Sequence, residues 1–258
     1  MPLRPIALAL ALLLLLLCTA PVHAGDARRS GAEFISPSTR AMQRDDTLNP
    51  AMLSVGDGKL LWQRKAGRSD TSCADCHGDA ALSMRGVAAR YPAFDAHTNA
   101  AIGLGQRINA CRVRHQQAEP LRVEAEELLG IESYVALQSR AMPLAPPPDA
   151  RLQPALARGQ RLFFQRIGQL NLSCAQCHDA NWGRRLGGAT IPQGHALAYP
   201  VYRLEWQGMG SLQRRLRNCM SGVRADVPPP NAQELVDLEL YLAMRAKGMR
   251  MEAPGVRP

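Results

Sequence analysis

The pentapeptide Cys-x-x-Cys-His occurs twice, as Cys73-Ala-Asp-Cys76-His77 and Cys174-Ala-Gln-Cys177-His178, and this pair constrains the fold more than any property of composition. Two thiols about one helical turn apart can add across the two vinyl groups of one porphyrin, and the imidazole that follows reaches the iron as a proximal ligand. Zinc sites and dithiol redox centres also use paired thiols, but neither requires the adjacent His. The expectation is therefore two covalently bound haem c groups. Cys73, Cys76, Cys174 and Cys177 would be the tethers, with His77 and His178 on the irons. A four-thiolate zinc site drawn from both pairs is the alternative.

The first residues contain a single base, Arg4, then an apolar run from Ile6 to Leu17 and a small-x-small pattern ending at Ala24. Residues 1–24 read as a cleavable signal peptide, which places the mature protein in the periplasm. The run falls short of the about 20 apolar residues that span a bilayer, and no comparable stretch follows, so no membrane span is expected in the mature chain. Cys18 lies inside the signal, preceded by bulky residues where lipid attachment calls for a small one. The formal net charge of +9 favours anionic substrates or acidic partner surfaces, or is simply an Arg-rich solvated face. No nucleic-acid-binding motif is present.

The chain is built twice. At an offset of 101, Gly58-x-x-Leu61-Trp62 matches Gly159-x-x-Leu162-Phe163, Gly67 matches Gly168, Ser72 matches Ser173, and the two pentapeptides follow. At 108, Tyr91-Pro92, Arg107 and Cys111 match Tyr199-Pro200, Arg215 and Cys219. At 107, Glu127, Leu128, Glu132, Tyr134 and Ala136 match Glu234, Leu235, Glu239, Tyr241 and Ala243. Such a period makes each half a structural unit. Each opens on an amphipathic helical pattern, places the Cys pair just after it, and closes on a long helical pattern. That order resembles the class I cytochrome c fold, in which the first and last helices cross beside the haem. The expected fold is mainly α: two tandem class I cytochrome c-like domains, each with one covalent haem. A Pro-rich connector through Pro146-Pro147-Pro148 sets the boundary. Residues 25–50 then form an N-terminal extension, 51–150 the first domain and 151–258 the second.

Two cysteines remain beyond the motifs, Cys111 and Cys219, in equivalent places. Each could serve as sixth ligand of its own haem, they could form one disulfide in an oxidising compartment, or they could stay as free thiols. Met84, Met142, Met209, Met220 and Met249 are further candidate sulfurs. Thiolate ligation lowers the iron potential and Met ligation raises it. Arg107 and Arg215 each precede the lone Cys by four residues, which on a helix puts guanidinium and sulfur on one face. For Arg107 a surface or propionate-pairing role is expected; for Arg215, in the cluster Arg214-Arg215-Leu-Arg217-Asn-Cys219, an anion site.

The stretch Tyr199-Pro-Val-Tyr-Arg-Leu-Glu-Trp-Gln-Gly-Met-Gly-Ser-Leu-Gln-Arg-Arg-Leu-Arg-Asn-Cys219, with Val223-Arg-Ala-Asp and Leu238-Glu-Leu-Tyr-Leu after it, closely resembles the SoxA family, the cytochrome subunits of the SoxAX complex of thiosulfate oxidation. The resemblance extends through Ser83-Met-Arg-Gly-Val-Ala-Ala-Arg-Tyr-Pro-Ala-Phe-Asp95 and back to Arg40-x-Met-Gln-x-Asp and Asn49-Pro50. It implies that Cys219 is the catalytic sulfur, carried as a persulfide on the second haem opposite His178. Cys111 would sit opposite His77, and Arg215 would steer thiosulfate. The implied activity is that of an L-cysteine S-thiosulfotransferase, joining thiosulfate to a cysteine of a SoxYZ-like carrier protein. The implied partners are a SoxX-like monohaem cytochrome in a heterodimer and an electron-accepting cytochrome c that takes two electrons. A dihaem thiosulfate dehydrogenase forming tetrathionate, and a plain dihaem electron carrier, are the alternatives.

Overall fold

The structure is a computed structural model that describes residues 26–258; the signal segment, Cys18 included, lies outside the described residues. After a short helix α1 (Pro37–Arg44), capped by the Ser36 side chain, the first repeat runs α2 (Ala51–Gln63), α3 (Cys73–His77), α4 (Ala80–Ser83), a hairpin of β1 (Ala93–Asp95) and β2 (Ala100–Ile102), α5 (Leu104–Cys111) and α6 (Glu126–Leu137). A π-helical turn, Arg112–Gln116, extends α5. The second repeat runs α7 (Gln153–Phe164), α8 (Cys174–His178), a two-residue hairpin of β3 (Arg185–Leu186) and β4 (Ala189–Thr190), a second hairpin of β5 (Val201–Arg203) and β6 (Gly208–Gly210), α9 (Leu212–Gly222) and α10 (Gln233–Arg245). Strand β7 (Gly255–Arg257) then pairs in parallel with β5, giving the order β6-β5-β7.

The helical periodicity accounts for the long elements. In α2 the buried residues Ala51, Val55, Gly58 and Trp62 fall on one face, and in α7 Ala155, Gly159 and Phe163 do the same. That face packs across the last helix of its repeat, α2 on α6 and α7 on α10. The glycine of each Gly-x-x-Leu-aromatic pattern marks the crossing. A Cβ on Gly58 would lie 2.0 Å from the Gly130 carbonyl oxygen, and one on Gly159 would lie 1.9 Å from that of Asp237. Only a residue without a side chain lets the backbones meet this closely. Aromatic pairs close each crossing: Trp62 meets Tyr134 with ring centroids 5.9 Å apart, and Phe163 meets Tyr241 at 5.3 Å.

A second pair of glycines fixes the loop before each Cys pair. Gly67 (φ +68°) and Gly168 (φ +69°) turn the chain where a Cβ would strike the carbonyl oxygens of Gln116 and Val223, respectively. The loops then bond to the segments after the lone-Cys helices. Arg68 and Ser69 donate backbone N–H groups to Gln117 and Gln116, both at 3.3 Å, while Gln169 and Leu170 donate to Arg224 and Val223 at 3.1 and 3.3 Å. Each lone-Cys helix is thereby tied to the motif of its own half.

The halves join around an approximate twofold. Ala141 donates to Met251 (2.8 Å), Met251 to Met142 (2.9 Å), Leu144 to Met249 (2.8 Å) and Gly248 to Leu144 (2.8 Å), a short antiparallel ladder centred on Pro143 and Arg250. Ala136 and Ala243, equivalent residues of α6 and α10, lie in the apolar cluster beneath it. Met142 and Met249 thus belong to this ladder. The extension preceding α2 packs on the C-terminal strand: Asn49 Nδ2 donates to the Pro254 carbonyl (3.1 Å), and Gln43 Oε1 accepts from Val256 N–H (3.1 Å). Among the described residues no helix is long and apolar enough to cross a membrane.

Candidate functional site

Helices of five residues are marginal by themselves, and both Cys-pair helices are held by reciprocal caps. The Ser72 hydroxyl accepts from Asp75 N–H at 3.0 Å while the Asp75 carboxylate accepts from Ser72 N–H at 2.8 Å. Ser173 and Gln176 do the same in α8, at 3.3 and 2.9 Å. The repeated serine read from the sequence is therefore the N-cap of each motif.

His178 Nδ1 lies 2.8 Å from the Pro192 carbonyl oxygen. A carbonyl only accepts, so this nitrogen carries the proton and Nε2 keeps its lone pair, as an iron ligand requires. Burial lowers the His178 pKa; the Pro192 bond opposes this, and the positive charge of Arg215 adds to it. The ring stays neutral. Gly194, with φ +77°, brings its backbone against the imidazole, where a Cβ would be 3.1 Å from His178 Cγ. His77 is exposed and stands beside Trp62, ring centroids 5.8 Å apart, while Trp62 Nε1 donates to the Gly78 carbonyl at 3.0 Å.

All six described cysteines are free thiols, so Cys111 and Cys219 do not form the disulfide that the sequence left open. Each shares an electrostatic neighbourhood with the motif of its own half. Burial raises the Cys73 thiol, Arg112 opposes, and Cys111 adds to the rise. Burial likewise raises Cys111, with Arg107 and Arg114 opposing. Cys174 is pushed up to about 11 by burial, with Cys219 adding, and Cys219 also raises Cys177 after burial. Among the described residues no three His, Cys, Asp or Glu side chains gather as a metal cluster, so the two Cys pairs do not assemble a four-thiolate zinc site. Paired free thiols on a capped turn, next to an imidazole with Nε2 available, fit a covalently attached haem c.

The arginines of the two halves differ. Arg107 Nη2 is 2.9 Å from Asp95 Oδ1, and Arg114 Nη2 is 3.6 Å from Asp95 Oδ2. Arg107 is therefore more than a solvated surface charge: it is answered inside the protein by a carboxylate only 2% exposed. Against a burial penalty that would raise it, hydrogen bonds from Thr98 and the charge of Arg107 hold Asp95 at about 2. Arg215 forms no salt bridge among the described residues. Its charge is felt at His178, at part-buried Tyr199 and at Arg203. Sequence reasoning passed over Arg203, although the repeat contained the signal: at offset 108 it stands where the first half has Asp95. His195 is half-buried, with its pKa lowered to about 4 by burial, and lies outside these groups.

A mainly helical chain with two capped Cys-x-x-Cys-His turns and crossed terminal helices is a c-type cytochrome, the class of protein that binds haem c covalently. The SoxA/TsdA cytochrome c domain matches it twice, over residues 57–144 and 158–251. The L-cysteine S-thiosulfotransferase subunit SoxA of Pseudaminobacter salicylatoxidans is 38% identical, over 91% of this chain and 82% of the relative. The subunit of the same name from Paracoccus pantotrophus is 34% identical, over 88% of this chain and 78% of the relative. The crystal structure of SoxXA from P. pantotrophus superposes with a TM-score of 0.86 at 34% identity, covering 90% of this chain and 87% of that one. The chain belongs to the SoxA family.

Proposed function

We propose that this chain is the catalytic dihaem subunit of a SoxAX-type L-cysteine S-thiosulfotransferase, working in the periplasm on thiosulfate and a SoxYZ-like carrier protein. The observation that carries the reading is the charge of Arg215, four residues before Cys219 and without a salt bridge among the described residues, set against the neutralised Arg107 before Cys111. An anion is drawn to the second half. The SoxA relatives support the activity, and the likeness to the SoxXA structure supports a heterodimer with a SoxX-like monohaem cytochrome.

Cys73, Cys76, Cys174 and Cys177 would tether two haem c groups, with His77 and Cys111 holding one iron and His178 and Cys219 the other. Bound haem c supplies a one-electron acceptor beside each sulfur. The net reaction joins the outer sulfur of thiosulfate to the carrier thiol, giving a cysteine S-thiosulfonate, one proton and two electrons that leave to a cytochrome c. Cys219 contributes a polarizable sulfur, carried as a persulfide, at which sulfur–sulfur bonds can be exchanged. Arg215 holds the sulfonate end by charge-assisted hydrogen bonds. The Pro192 carbonyl keeps the His178 ring in one tautomer and one orientation.

Incubation of the holo-heterodimer with thiosulfate, reduced carrier and oxidised cytochrome c tests the reading. Mass spectrometry should find one thiosulfonate on the carrier cysteine, and cytochrome reduction should require both substrates. Tetrathionate formed without carrier would make the protein a thiosulfate dehydrogenase, and reduction with no sulfur product would make it an electron carrier.

A further inference from the structure

We propose that Arg203 is a second anion-binding residue of the Cys219 site, closing with Arg215 on the sulfonate of thiosulfate and setting the preference for a doubly charged substrate. The proposal rests on the thiosulfate reading above and deepens it.

The two long hairpins are the same structure in the same register. Asp95 pairs with Ala100 at the end of β1 and β2, and Arg203 pairs with Gly208 at the end of β5 and β6. Each hairpin leads directly into a lone-Cys helix, and each is preceded by a tyrosine, Tyr91 or Tyr199. In the first half the helix arginine is answered: Arg107 Nη2 stands 2.9 Å from Asp95 Oδ1. In the second half the hairpin position that holds Asp95 in the first is filled by another arginine. Arg203 is depressed first by burial and then by the charge of Arg215, so the two guanidiniums lie within electrostatic reach. Only 11% of the Arg203 side chain is exposed. Like charges within reach of each other, one of them largely withdrawn from water, cost energy that an anion between them would offset.

The surroundings fix Arg203 without cancelling it. Glu205 accepts from Nε at 3.1 Å and stands 3.0 Å from Nη2, but it is 51% exposed, so water screens its charge. Trp206 lies under Arg203, 5.0 Å from ring centroid to Cζ, with Arg214 at 4.2 Å. Gly210 makes room for that ring, since a Cβ there would be 2.4 Å from Trp206 Cζ3. The position equivalent to Arg114, the second cation on Asp95, is Gly222. Three sulfonate oxygens can take two planar guanidinium forks, a grip that a single arginine cannot provide.

Thiosulfate binding to the oxidised holo-heterodimer, followed by calorimetry, and KM for thiosulfate in the conjugation assay form the test. Arg203→Gln should weaken binding and raise KM about tenfold, Arg203→Asp should abolish binding, and Arg203→Lys should recover part of the loss, with haem absorption unchanged. Wild-type affinity in an Arg203→Gln protein with both haems attached overturns the proposal. Should that variant not retain haem, Glu205→Gln decides: removing the screened counter-charge should tighten thiosulfate binding, and equal or weaker binding overturns it. A wild-type protein that binds no thiosulfate in the same titration overturns the functional reading itself.

Discussion

Glu132 of α6 and Glu239 of α10 are equivalent residues of the two repeats and line the same cavity between them. Burial, then the charges of Glu239 and Glu124, push Glu132 up to about 8. Burial pushes Glu239 up to about 7, with a Gln213 hydrogen bond at 3.2 Å opposing and Glu124 adding. Glu124 in turn accepts from Ser211 N–H at 3.3 Å, at the cap of the Cys219 helix. Both acids are protonated in the fold at pH values where the unfolded chain has released its protons. Stability is then fully present below the ordinary carboxylate range and declines as pH rises through about 7 to about 8. Thermal melts of the holoprotein across this range should show the decline, and Glu132→Gln should flatten it. A Tm independent of pH from about 5 to about 9 would contradict the burial of these acids.

The glycine crossings give the second expectation. Gly58→Ala and Gly159→Ala each drive a methyl into a backbone carbonyl, which cannot swing aside as a side chain can. Each should cost about 2 kcal/mol or more and lower the denaturation midpoint. Gly56→Ala, two residues earlier on the same helix but facing open space, should be neutral to stabilising.

Loss of the lone cysteines should affect the halves unequally. Cys219→Ala is expected to abolish thiosulfate conjugation with both haems still attached, because the tethers proposed above are Cys174 and Cys177. Cys111→Ala should alter the spectrum of the first haem and leave most conjugation intact. A haem stain, intact mass and the carrier assay check both, and equal residual activity in the two variants would remove the assignment.

Arg215→Met should lower kcat/KM by roughly ten- to a hundred-fold, the loss of one charge-assisted contact of about 1.5 to 3 kcal/mol. Arg215→Lys should recover only part, since an ammonium lacks the planar fork. Arg107→Met should leave thiosulfate kinetics near the wild type and act on stability instead, because it strips the buried Asp95 of its closest cation.

The motifs, the repeat and the long helices were legible because each rests on local spacing: Ser72 and Ser173 cap the turns, and Gly58 and Gly159 sit where the helices cross. The short strands were not. Three-residue strands such as Ala93–Asp95 and Val201–Arg203 leave too little alternation to read, and β7 joins β5 across half the domain. The Pro192 partner of His178 sits fourteen residues downstream with no motif to announce it. Arg203 was missed for a different reason. The repeat was read through its identities, whereas the difference between the two sites lies in a mismatch, a carboxylate exchanged for a guanidinium at one hairpin position.

The ladder between residues 141–144 and 248–251 has the form of a homodimer contact written into one chain. Equivalent segments exchange backbone hydrogen bonds about a local axis, as two copies of one ancestral subunit would, so neither repeat satisfies its own last carbonyls. Cutting the chain between the repeats would therefore yield two fragments that each expose a bare edge and an alanine-lined face, and that regain their fold only by finding each other. The contact is symmetric while the sites are not: one hairpin position carries Asp95 in one repeat and Arg203 in the other.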